Sequence, residues 1–145
     1  MKILVVNGPN LNMLGKREAS HYGVKTLAGI EELVSDKARD LNVDVEFFQS
    51  NHEGAIVDYL QQAAPDASGI IINAGALTHY GISMRDALTD SRLPIVEIHL
   101  SNIHAREDFR RHSVIADIAM GQIAGLGWQG YVFALEYLAA HLKQA

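Results

Sequence analysis

Ile3-Leu4-Val5-Val6 is a short apolar run directly behind Met1-Lys2, and it is the first of five. Val43 to Phe48, Gly69 to Ile72, Pro94 to Ile98 and a weaker Ile118 to Ala124 repeat it along the chain. Between them lie segments whose apolar residues recur at helical spacing. The first carries Leu27, Ile30, Val34, Ala38 and Leu41, the second Ile56, Leu60 and Ala63, and the third runs from His79 through Leu88. A last helix follows Gly130, with Tyr131, Leu135, Leu138 and Leu142 as its stripe. Strands and helices in alternation imply parallel strands, right-handed crossovers and a sheet covered on both faces.

Five strands in 145 residues predict an α/β protein of flavodoxin-like, three-layer form, its five-stranded parallel sheet in the order 2-1-3-4-5. With 48% hydrophobic and 20% charged residues, and no low-complexity tract, the expectation is one domain over residues 1–145. The absence of cysteine excludes disulfides, thiolate nucleophiles, cysteine-ligated zinc and iron–sulfur clusters. The first apolar run is too short for a signal-peptide core, and no later run approaches a membrane span, so a cytoplasmic protein is expected. Seventeen acidic against twelve basic residues, with no basic stripe, argue against a nucleic-acid partner. An anionic ligand must therefore be met by locally placed arginines.

Open α/β sheets bind ligands outside the carboxyl ends of their strands, where the strand order reverses. Asn7 ends the first strand and Asn73 the third, while Glu97 and His99 stand two residues apart near the end of the fourth, on one face. Any one of these can simply cap a loop; together they point to a site. Familiar ligands of such folds match less well. A phosphate loop needs glycines five apart before Lys-Ser or Lys-Thr, whereas Gly8 and Gly15 are seven apart and Lys16 precedes Arg17. The stretch Asn7-Gly8-Pro9-Asn10 lacks the hydroxyls of a flavin phosphate loop, and a phospho-acceptor domain would want aspartates at 7 and 73.

Two segments carry candidate chemistry. Gly8 to Val24 is a loop of about seventeen residues, longer than connections usually are unless they bind or close over a ligand. It holds Asn10, Lys16, Arg17, His21 and Tyr22, with glycines at 8, 15 and 23; the alternative is a surface loop of solvated charges. In the segment from Glu97 to Glu107, a strand-end histidine beside a carboxylate suits a general acid or base, and equally a structural hydrogen bond. His99, His104 and His112, spaced five and eight apart, match no helical metal-ligand pair.

Five blocks in register closely resemble the type II 3-dehydroquinate dehydratases. They are Asn7-Gly8-Pro9-Asn10-Leu11-Asn12; Lys16-Arg17-Glu18 with Tyr22-Gly23; Gln49-Ser50-Asn51-His52-Glu53-Gly54; Asn73 to Asp86; and the 97–107 segment. The resemblance implies a cofactor-free hydro-lyase that converts 3-dehydroquinate to 3-dehydroshikimate by anti elimination through an enolate. It further implies a subunit of a dodecamer built from trimers. Carried over by motif, the catalytic base falls on Tyr22, the lid arginine on Arg17, the asparagine that stabilises the enolate through water on Asn10, and the general acid on His99, oriented by Glu97. Substrate-binding positions fall on Asn73, His79, Leu100 and Ser101 through backbone N–H groups, and Arg110, with Asp86 contributed by a neighbouring subunit. Three positions depart from the family's pattern: Ala19 and Ala74 stand where proline is common, and Tyr80-Gly81 where a hydroxyl residue usually sits.

The chemistry of the residues agrees with these implied roles. Proton removal beside a ketone needs a base, an enolate stabiliser and an acid for the departing hydroxyl. Tyrosine, with an ordinary pKa of about 10, can act as base near neutrality only beside a cation. A charge pair at about 4 Å and an effective dielectric of about 20 is worth roughly 4 kcal/mol, close to three pH units before desolvation is subtracted.

Overall fold

In a β-strand successive side chains leave on opposite faces, yet Ile3, Leu4, Val5 and Val6 are all buried, so the first strand must be covered on both sides. The computed structural model describes residues 1–16 and 25–144 and shows how that is achieved. Its elements are β1 (Lys2–Asn7), α1 (Leu27–Leu41), β2 (Asp44–Gln49), α2 (Glu53–Ala63), β3 (Gly69–Asn73), α3 (Ile82–Ser91), β4 (Ile95–His99), β5 (Gly121–Ala124) and α4 (Gln129–Gln144). All strand pairs are parallel, and their order is the expected β2-β1-β3-β4-β5.

Alternation within the strands divides the core into two layers. Ile3, Val5, Ile71, Val96 and Ile98 pack against α1 and α4 through Ile30, Val34, Tyr131, Leu135 and Leu138. Leu4, Val6, Ile70, Ile72 and Ile95 pack against α2 and α3 through Ile56, Leu60, Met84 and Leu88. Of the helix stripes read from the sequence, Ile30, Val34, Ala38 and Leu41, then Ile56, Leu60 and Ala63, and finally Tyr131, Leu135, Leu138 and Leu142 make these contacts.

Helix α3 begins at Ile82, three residues later than the apolar pattern suggests, because Gly75–His79 form a 3₁₀ turn first. A Cβ on Gly81 would stand 2.8 Å from the Leu77 carbonyl oxygen, so this backbone suits glycine at 81, while nothing in the structure explains exposed Tyr80. The cap comes from elsewhere: Glu53 of α2 accepts the Met84 N–H at 2.9 Å. Likewise β5 starts only at Gly121, with Ile118 in the 3₁₀ turn Ala116–Ile118. Ala74 holds φ −75°, an angle proline also adopts, so the local backbone is the same with either residue.

The loops after β1 and β3 touch at the carboxyl edge. The Gly8 N–H donates to the Asn73 carbonyl at 2.8 Å, and a Cβ on Gly8 would lie 2.2 Å from the Ala74 carbonyl oxygen. Only glycine permits that approach.

Candidate active site

The order β2-β1-β3 reverses direction between β1 and β3, and there the carboxyl edge opens into a cleft of about 470 Å³. Its walls are the loop after β1 (Pro9, Asn10, Leu11, Leu14), the turn after β3 (Asn73, Gly75, Ala76, His79) and the segment from His99 to Arg110. Seven expected site residues therefore meet: Asn10, Asn73, His79, His99, Leu100, Ser101 and Arg110. Glu97 lies directly behind His99. Asp86, exposed on α3, does not reach this cleft in its own chain. Arg17 and Tyr22, like Ala19, fall outside the described residues.

Glu97 and His99 share a face of β4, as the two-residue spacing requires, and both are buried. His99 Nε2 lies 2.5 Å from Glu97 Oε2. Three neutral donors complete the carboxylate's shell: Thr78 Oγ1 at 2.8 Å and Gln122 Nε2 at 3.0 Å, both on Oε2, and Ser113 Oγ at 2.9 Å on Oε1 and 3.0 Å on Oε2. Ser113 also accepts the Ile115 and Ala116 N–H groups, which commits its one proton to Glu97. Burial pushes the Glu97 pKa up, but the hydrogen bonds from His99, Gln122 and Thr78 and the charge of His99 outweigh it and hold the carboxyl below its ordinary value. An ionised carboxylate only accepts, so His99 Nε2 must carry a proton, leaving Nδ1 for the cleft.

The same logic orients His79. Its Nδ1 lies 2.8 Å from the His112 carbonyl oxygen, an acceptor only, which leaves Nε2 for a ligand. Asn73 is fixed from below, its Nδ2 donating to the Tyr131 hydroxyl at 3.0 Å and its Oδ1 accepting the Gly75 N–H at 3.3 Å. The Tyr131 hydroxyl in turn donates to Asn7 Oδ1 at 2.5 Å. Asn7 and Asn73 are register partners on neighbouring strands, so one phenol from α4 reaches both. Burial pushes the Tyr131 phenol up, keeping it a donor.

Asn10 adopts φ 71°, a left-handed conformation that asparagine tolerates. Asn51, which follows β2, accepts its N–H at 2.9 Å, and Gln49 Nε2 donates to the Gly8 carbonyl at 3.1 Å. The 49–54 block is thus a brace: Gln49 and Asn51 hold the β1 loop, and Glu53 caps α3. At the other wall Gly125 and Gly127 donate backbone N–H groups to the His99 and Leu100 carbonyls at 3.2 and 3.0 Å. Both glycines have positive φ, 88° and 64°.

Two arginines, Arg106 and Arg110, line the cleft of a chain whose formal charge is −5. Arg110 is steadied by Glu107, its Nε donating to Oε2 at 2.5 Å. Sequence reasoning did not single out Arg106, although its four-residue spacing from Arg110 was visible. It also missed Thr78, Ser113 and Gln122. Among the described residues no three His, Asp or Glu side chains gather as a metal site. The described helices include none long and apolar enough to cross a membrane.

Comparison with known proteins agrees with this geometry. Residues 1–139 match the family described as dehydroquinase class II. A 3-dehydroquinate dehydratase of Halothermothrix orenii is 52% identical over 143 residues, covering 99% of this chain and 97% of the relative. One from Endomicrobium trichonymphae is 58% identical over 139 residues, covering 96% and 97%. The crystal structure of type II dehydroquinase from Butyrivibrio crossotus superposes with a TM-score of 0.89 at 45% identity, over 95% of this chain and 97% of that one.

Proposed function

The chain belongs to the class II dehydroquinases, and on that premise we propose how its residues divide the work of dehydration. As a member of that family it is a hydro-lyase of the shikimate pathway that converts 3-dehydroquinate to 3-dehydroshikimate and water. The reaction runs by anti elimination through an enolate. Tyr22, its phenolate stabilised by Arg17, removes the proton beside the ketone, and the electron pair passes to the carbonyl oxygen. Asn10 stabilises that enolate oxygen through water. Collapse of the enolate expels the hydroxyl, which takes the Nδ1 proton of His99 and leaves as water. No redox step and no cofactor enters.

The observation that supports this reading most is the buried His99–Glu97 pair, which fixes one ring nitrogen and aims the other into a cleft furnished with two arginines. Arg110, Asn73, His79 and the backbone N–H groups of Leu100 and Ser101 hold the substrate, whose carboxylate needs a local positive charge. Asp86 completes the site of a neighbouring subunit within a dodecamer of trimers, and its exposure on α3 beside exposed Tyr80 and Ile82 supports that contact. The protein works as one catalytic domain in the cytoplasm.

Separating the two proton transfers tests the roles. Tyr22→Phe should bind substrate and lose about 10²–10⁴-fold in turnover. His99→Ala should lose dehydration while exchange of the substrate's acidic hydrogen with deuterated solvent continues. Exchange and dehydration falling by the same factor in His99→Ala would refute the division, and a folded Tyr22→Phe enzyme with normal turnover would remove the base.

A further inference from the structure

Glu97 and Gln122 are register partners on β4 and β5, so their side chains leave the sheet on the same face as neighbours. The two carboxylate oxygens are unequally loaded. Oε1 receives Ser113 alone, whereas Oε2 receives His99 at 2.5 Å, Thr78 at 2.8 Å, and Gln122 and Ser113 each at 3.0 Å. Gln122 therefore competes with His99 for the same oxygen. Its amide is held at both ends: a carboxylate cannot donate, so the NH₂ must face Glu97, and the amide oxygen lies 3.3 Å from Nε2 of exposed His104.

We propose that Gln122, with its amide oriented by His104, is a positioning residue for the dehydration, fixing Glu97 Oε2 and setting how tightly His99 holds the proton it delivers. This rests on His99 being the acid. Thr78 and Ser113 come from turns beside the cleft and satisfy the carboxylate from the α3 side; Gln122 alone approaches from β5, and it alone is tied to a second ionisable side chain. Withdrawing its donor leaves more of the Oε2 charge to the His99 N–H and tightens that hydrogen bond. Among the described residues, the other titratable groups facing the pair are His79 from the turn after β3, and Arg106 and Arg110 from the segment after β4. His112, whose carbonyl holds His79, stands behind them. The loop after β1 and strand β5 present neutral Asn10 and Gln122. Apart from Gln122 itself, none of these changes in the variants below.

Gln122→Met keeps the side chain's length and removes the donor. We expect turnover at neutral pH to fall about three- to tenfold, the usual worth of one hydrogen bond, with KM within about twofold. The basic limb of the turnover–pH profile should move upward by about half a pH unit. His104→Leu, an exposed change with little bearing on folding, should give a smaller shift of the same sign, and should add nothing when combined with Gln122→Met. A purely structural Gln122 would lower the thermal midpoint and leave the limb where it was; that result, a downward shift, or additive effects of the two substitutions would overturn the proposal. His99→Gln serves as the parallel measurement. If it turns over normally, the acid assignment falls and takes the Gln122 proposal with it, whereas an impaired His99→Gln beside an unmoved Gln122→Met profile rejects the Gln122 role alone.

Discussion

Glu97→Gln changes one oxygen to an amide nitrogen, and the structure dictates how the new group must sit. Oε2 takes four donors and Oε1 one, so the amide oxygen stays at the crowded position and the NH₂ is turned toward Ser113. Ser113 cannot accept it: its proton and its lone pairs are committed to Glu97 and to the Ile115 and Ala116 N–H groups. One buried donor is left unpaired, at a cost of about 1–3 kcal/mol. At about 2–4 °C per kcal/mol for a chain of this size, Tm should drop by several degrees. The functional effect is larger. His99 loses the carboxylate that holds its Nε2 proton and fixes its ring. Turnover at neutral pH should fall about 10- to 1000-fold, and the basic limb of the turnover–pH profile should move down. Steady-state rates measured across the pH range, with thermal unfolding in parallel, provide the assay. A folded variant whose profile superimposes on the wild type would refute the reasoning, because Glu97 would then have no hold on the acid.

Tyr131→Phe removes the hydroxyl that joins Asn7 to Asn73, so it should lower stability by about 1–3 kcal/mol and raise KM as Asn73 loses its orientation; denaturant unfolding and initial rates check both. Arg110→Ala should raise KM about 10- to 100-fold and change turnover less, as expected for a charge-assisted bond made equally in ground and transition states, and a fall in turnover at constant KM would contradict that. The lowered Glu97 pKa stabilises the fold fully above about pH 4.5, and that contribution is lost as pH falls through the lower folded value. Comparing denaturant midpoints of wild type and Glu97→Gln from pH 6 down to pH 3 should show the gap between them closing at the acid end.

The sheet was legible because both of its faces are covered: runs such as Ile70-Ile71-Ile72 need no alternation to be recognised, and each crossover helix carries its own stripe. Within one strand the two-residue period also placed Glu97 beside His99. What the sequence hid are relations between distant segments. Gln122 meets Glu97 only because β5 pairs with β4 in one particular register, and a single polar residue in a weak apolar run carries no sign of that. Thr78 and Ser113 sit in short turns whose geometry follows from the 3₁₀ turn Gly75–His79 and from the Ile115 and Ala116 amides, not from local periodicity. The apolar pattern continues through His79 and so overextends α3 at its start, while the cap that sets its true beginning is supplied by Glu53 from another helix.

The most direct measurement mixes the purified protein with 3-dehydroquinate, in the presence of a strong chelator, and follows the ultraviolet absorbance of the conjugated enone. Metal-independent dehydration with His99 as the acid predicts a steady rise at an undiminished rate for the wild type, and a rise slowed by orders of magnitude for His99→Ala. A folded wild-type protein that produces no enone, or one whose activity disappears with the chelator and returns with added metal, would contradict it.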